Sequence, residues 1–64
     1  MEIGKRIRDR RRELDMSQVE LAKKSGVCRM VISMLESGKR SDVLVSTLSA
    51  IAKALDTTVD LFLS

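Results

Sequence analysis

Two methionines four residues apart raise the first chemical question of this 64-residue chain: Met30 and Met34, in the stretch VCRMVISMLESG at 27–38. Four residues make about one helical turn, so both thioethers stand on one side of a helix. Ile32 and Leu35 supply a buried stripe on another side. A thioether forms no useful hydrogen bond to a polar edge, but it is flexible and fits irregular apolar surfaces. The pair therefore either packs into the domain's own core or lies against a partner. A second group also looks misplaced. Arg11 falls on the same side of its helix as Ile3, Ile7 and Leu14, where a guanidinium must snorkel to solvent or meet a carboxylate.

Catalytic chemistry has little to work with. The chain has no histidine and one cysteine, and it contains no metal-ligand cluster or glycine-rich phosphate loop. An enzyme is not expected, and neither is a cofactor or a metal site. One cysteine cannot form an internal disulfide, which suits a reduced, cytoplasmic setting. No signal peptide or membrane span is expected, because Glu2, Lys5, Arg6 and Arg8 charge the N-terminus and no apolar run reaches roughly 18 residues. A lone cysteine such as Cys28 usually serves as a small apolar residue; the alternative is a redox switch, with the thiol pKa lowered by the helix N-terminus and Arg29.

The length fits one domain, 1–64, which buries only about 60% of its unfolded surface. Its net charge of +3 is unevenly spread. Residues 1–40 hold eleven of the twelve Lys and Arg and six of the nine acids, while Lys53 faces Asp42, Asp56 and Asp60 in the remainder. A basic front and an acidic back suit a polyanion on one side; a solvated basic helix would show the same pattern.

The elements that place these residues read as five short helices. The first spans about 2–14. Ser17 and Glu20 form a capping box for the second, about Gln18 to Lys24, with Met16 and Leu21 as a hydrophobic staple and Gly26 as its end. The third runs from about Cys28 to Ser37, and Gly38 ends it. The fourth spans about Leu44 to Leu55, with Leu44, Leu48, Ile51, Ala52 and Leu55 inward. A last turn covers about Val59 to Leu63. The fold class is an all-α orthogonal bundle.

Counted from Gln18, Leu21 is fourth, Ala22 fifth, Gly26 ninth, Val27 tenth, Ile32 fifteenth and Leu35 eighteenth. Small Ala22 lets two helices cross closely, Gly26 permits a sharp turn, and the three apolar positions lock the second helix of the pair. That is helix-turn-helix geometry, which presents its second helix to a DNA major groove. A plain αα-corner obeys the same packing rules.

The segments IGKRIRDRRRELDMSQVELAKKSGV, ISMLESGKR and LSAIAKALDTTVDLF together resemble the lambda-repressor-like, Cro/C1-type (XRE) helix-turn-helix regulators over nearly the whole chain. The resemblance implies sequence-specific binding of a near-palindromic operator, usually by a symmetric homodimer. It assigns Arg29, Met30, Ser33 and Met34 to base reading. Ser17 and Gln18 are assigned to phosphate, with Lys39 and Arg40 as further phosphate contacts. It pairs Arg11 with Glu36 in a structural salt bridge. The chain departs from the family at Cys28, where Ser or Thr usually caps; at Asp15 and Asp56, where glycine is usual; and in GKRSDVL, which lacks the usual proline.

In chemical terms, Arg29 suits guanine O6 and N7, Ser33 is an adaptable but weak reader, and Met30 and Met34 suit thymine methyls. Val59, Leu61, Phe62 and Leu63 crowd the C-terminal end and are expected at the dimer interface, where Val43 and Val45 could join them. Arg10 and Arg12 are expected to face solvent or phosphate. The expected function is a DNA-binding transcriptional regulator, a repressor or autoregulator, in a phage, restriction–modification or antitoxin setting. The competing class is an interaction module whose apolar recognition face binds a protein partner such as a toxin or anti-repressor.

Overall fold

Five helices follow one another in the computed structural model, which describes residues 3–63: α1 (Ile3–Glu13), α2 (Gln18–Ser25), α3 (Arg29–Ser37), α4 (Val45–Ala54) and α5 (Asp60–Leu63). No strand occurs among the described residues. The expected start of the first helix at residue 2, with Glu2, lies outside them.

Local chemistry sets the helix ends. Ser17 Oγ accepts from the Glu20 N–H, and Glu20 Oε1 accepts from the Ser17 N–H, both at 3.0 Å. Two of the free donors at the start of α2 are thus satisfied reciprocally. Hydrogen bonds to the Ser17 backbone and hydroxyl, in that order, hold the Glu20 carboxyl below its ordinary pKa. Gly26 ends α2 with φ 74, donating to the Ala22 carbonyl at 2.9 Å. Asp15 and Asp56 take left-handed conformations at φ 53 and 55. The following residues, Met16 and Thr57, reach back to the Arg11 and Ala52 carbonyls, the bond pattern of a Schellman motif. A short polar side chain tolerates this conformation better than most, so aspartate serves where glycine is usual.

Each helix contributes to a single core of Ile7, Leu21, Ile32, Leu35, Leu48, Ile51, Ala52, Leu55 and Phe62. Met16 packs on its edge, in the place a staple residue takes before α2. Packing joins α1 to α3 and α5, and α2 to α3 and α4, so the third helix rests on both of its predecessors.

Three expectations are corrected. Leu44 points to solvent, 73% exposed, because α4 begins one residue later and extended backbone at Leu44 (ψ 145) takes its side chain off the helical face. Leu14 lies beyond the end of α1 and is exposed. Phe62, expected at a dimer surface, is fully buried. As the chain's one aromatic residue, it joins the core built by the aliphatic side chains of the other four helices.

Gly4 marks a close crossing that periodicity does not reveal. A Cβ at this position would collide with the Leu35 backbone carbonyl of α3. Backbone cannot move aside as a flexible side chain would, so a Gly4→Ala variant has to separate α1 from α3. Helix propensity alone predicts that this change stabilises by up to about 1 kcal/mol. The crossing reverses the sign: a loss of about 1–3 kcal/mol, or roughly 4–20 °C in Tm for a domain this small, is expected in thermal unfolding. An unchanged or raised Tm would contradict the crossing.

Candidate nucleic-acid interface

The Glu36 carboxylate organises the region around α3. One oxygen accepts from Arg11 Nε at 2.8 Å; the other accepts from Arg11 Nη2 at 2.8 Å and from Gln18 Nε2 at 3.2 Å. The pair is nearly closed to water, with side-chain exposures of 11% for Arg11 and 4% for Glu36. This is a two-pronged guanidinium–carboxylate contact, the strong form of an ion pair. The hydrogen bond to Glu36 raises the pKa of Arg11, against a smaller opposing effect of burial. Its remaining arm, Nη1, donates to the Met16 carbonyl at 2.7 Å, while the Met16 N–H donates to the Arg11 carbonyl at 3.0 Å. One arginine therefore holds the entry to α2 and the last turn of α3 together, and its inward placement is accounted for.

With α3 fixed in this way, its two sides separate. Ile32 and Leu35 enter the core. Arg29 and Ser33 are exposed, Met30 is 68% exposed and Met34 is half-buried. Neither methionine belongs to the core; among the described residues, Met16 is the methionine that packs against it. The N-terminus of α3 carries no side-chain cap, since the Cys28 thiol makes no hydrogen bond to the backbone there. Cys28 itself is exposed.

The four residues assigned to phosphate are less alike. Ser17 Oγ accepts within the capping box, and its hydroxyl is also turned to the Glu20 carboxylate. Gln18 donates one amide N–H to Glu36, which orients the side chain and leaves a second N–H. Lys39 and Arg40 are exposed beyond Gly38, and the Arg40 backbone N–H closes onto the Met34 carbonyl at 3.1 Å. Arg40 also stands 3.9 Å from the exposed Asp42, a contact of little energetic weight.

The C-terminal residues do not act alike either. Leu61 and Leu63 are 41% and 51% exposed, and Val59 is half-buried against the core. Phe62 is absent from that surface.

Two arginines of α1 have roles that the sequence reading missed. Arg10, expected to face solvent or phosphate, donates through Nε to the Leu55 carbonyl at 3.0 Å and through Nη2 to the Asp56 carbonyl at 3.4 Å. A cation there satisfies carbonyls at the end of α4 and complements its dipole. Arg6 Nη1 donates to the Leu61 carbonyl of α5 at 3.1 Å. A run of basic residues carries no local sign of such distant partners. Arg12 is exposed.

Residues 7–62 match the family model described as helix-turn-helix. Among solved structures, the chain is similar to the crystal structure of the master regulator for biofilm formation SinR in complex with DNA. The two are 32% identical, the match covers 97% of this chain and 98% of that one, and the TM-score is 0.94. No curated protein matches the sequence significantly.

The arrangement around Glu36 makes a quantitative prediction. Glu36→Ala strands the Arg11 guanidinium in a nearly closed site, and removal of one partner of such a pair costs about 3–5 kcal/mol. Chemical denaturation should show that loss. Replacing both groups with apolar residues, Arg11→Met with Glu36→Leu, should recover much of it. If the single substitution costs under about 1 kcal/mol, like an exposed pair, then Glu36 does not organise the site.

Proposed function

The chain belongs to the Cro/C1-type (XRE) helix-turn-helix family, and from that premise we propose that it regulates transcription by binding a near-palindromic DNA operator as a homodimer. DNA binding is the common ground of the family match and of the SinR complex; the chemistry points to a binding protein and not to an enzyme. The observation that carries the proposal is the division of α3. Its apolar side is locked into the domain, while Arg29, Met30, Ser33 and Met34 occupy the other side beside exposed basic residues.

In this reading, the N-terminal half of α3 enters the major groove. Arg29 donates to guanine O6 and N7, and the methionines cover thymine methyls beside it. Ser33 adds an adaptable hydroxyl. Ser17, Gln18, Lys39 and Arg40 donate to phosphates and set the register on the duplex. Two copies associate through Val59, Leu61 and Leu63, placing their recognition helices about 34 Å apart in successive major grooves. Such a dimer seated on a promoter blocks transcription from it, the repressor or autoregulator role.

The exposure of Met30 also suits a second reading, in which this face receives a protein partner. Salt separates the two. Phosphate contacts on duplex DNA make affinity fall with salt at a slope of about −0.9 per contact, whereas a partner held on methionines shows little dependence.

Binding measured on a panel of duplexes tests the reading roles. Arg29→Ala should relax preference at one base pair by about 1–3 kcal/mol; equal weakening on every sequence would make Arg29 a phosphate contact. Met34→Ala should weaken preference for thymine, and unchanged affinity and preference would remove it from the reading set. Sedimentation should show dimers that Leu61→Glu disrupts. A monomer at high concentration would overturn the dimer.

A further inference from the structure

Beside the C-terminal end of α3 lies a groove of about 410 Å³ between the first turns of α1 and the loop that follows the recognition helix. Lys5, Arg8 and Arg40 line it, together with Ile3, Gly38 and Ser41. One carboxylate among the described residues, Glu36, borders it, and both of its oxygens already accept from Arg11 and Gln18. Among the described residues, three cations therefore gather where no free anion balances them within the groove. The acids at its margins compensate weakly: Asp9 stands 4.0 Å from Arg8 and Asp42 3.9 Å from Arg40, with both carboxylates largely in water.

Arg8 adds a specific sign. Its Nε is enclosed, with less than 1 Å² exposed, and has no hydrogen-bond partner among the described residues. An atom closed to water is closed to an oxyanion as well, so an anion in the groove would meet the rest of the Arg8 side chain, which is 36% exposed. Arg40 connects this groove to the exposed basic residues after α3, so the cationic surface continues from that loop onto the first two turns of α1.

We propose that Lys5, Arg8 and Arg40 form a phosphate-binding groove that holds one backbone phosphate of duplex DNA at the C-terminal end of the recognition helix. The proposal rests on the DNA-binding reading above and adds two residues of α1 to the surface that reading uses. A backbone phosphate is the occupant the position favours, because the groove is cationic and shares Arg40 with the proposed phosphate surface that follows α3. Such a contact fixes how far α3 tilts in the major groove without reading any base itself.

A purely structural role makes a different prediction. The last turn of α3 contains no basic residue of its own, so cations from α1 would also complement its dipole. The test measures duplex affinity between 50 and 200 mM salt (roughly the range over which phosphate contacts are most visible) alongside thermal unfolding. Variants are Lys5→Ala, Arg8→Gln and the pair together, with Lys53→Ala from a different groove as control. The proposal expects the double variant to flatten the salt slope by about 0.9 and to weaken all sequences alike, with Tm and base preference held. The exposed Lys5 makes Lys5→Ala the arm least subject to folding effects. An unchanged slope, with or without a lowered Tm, overturns the phosphate groove and leaves a dipole role. If the wild type shows no salt-dependent duplex binding, the regulator reading itself fails, and this proposal fails with it.

Discussion

The Glu36 carboxylate is the point on which this small domain turns. It meets Arg11 through two short hydrogen bonds and Gln18 through a third, and in doing so ties together α1, the start of α2 and the end of α3. A nearly buried ion pair is not in itself a source of stability, because desolvation of both charges opposes their attraction. Its value here is geometric. Arg11 has further bonds to Met16, so the guanidinium positions the entry to α2 as well as the last turn of α3. A helix of nine residues has few other means of holding a fixed angle.

That anchoring explains how so short a helix can serve both packing and the recognition proposed for it. Ile32 and Leu35 are committed to the core, and the crossing at Gly4 brings α1 against the backbone of α3. The opposite face is left to Arg29, Met30, Ser33 and Met34. From other positions on α1, Arg6 and Arg10 bind the carbonyls of α5 and the end of α4. The first helix is thus a brace between the proposed DNA surface and the C-terminal segment proposed for dimer formation. Basic residues that look alike in sequence divide into structural cations and exposed ones according to which carbonyls or carboxylates lie within reach.

Features encoded over a few residues were legible in the sequence. Ser17 and Glu20 announce their capping box by spacing, Gly26 and Gly38 mark the helix ends, and Asp15 and Asp56 take the left-handed conformation at the positions where glycine is usual. Core positions with helical period, such as Ile7, Leu21, Ile32 and Ile51, could also be read directly. Legibility failed where tertiary packing decides. Leu44 continues the apolar period of α4, yet backbone geometry at the helix start turns it outward. Phe62 sits in a cluster of apolar residues too dense for one short helix, and only the core's shape tells which of them goes inside. Arg10 has no neighbour in sequence to reveal its bonds to residues 55 and 56. Gly4 is equally silent, because its constraint is a carbonyl thirty-one residues away.

The most direct test of the central claim, that α3 is held by Glu36 so that its outer face reads DNA, is selection of bound sequences from a random duplex pool. The account predicts enrichment of two inverted half-sites, each with a guanine next to thymines, their centres separated by about one helical turn, roughly 34 Å. No enriched sequence, or enrichment that persists unchanged when Arg29 and Met34 are both replaced by alanine, would contradict it.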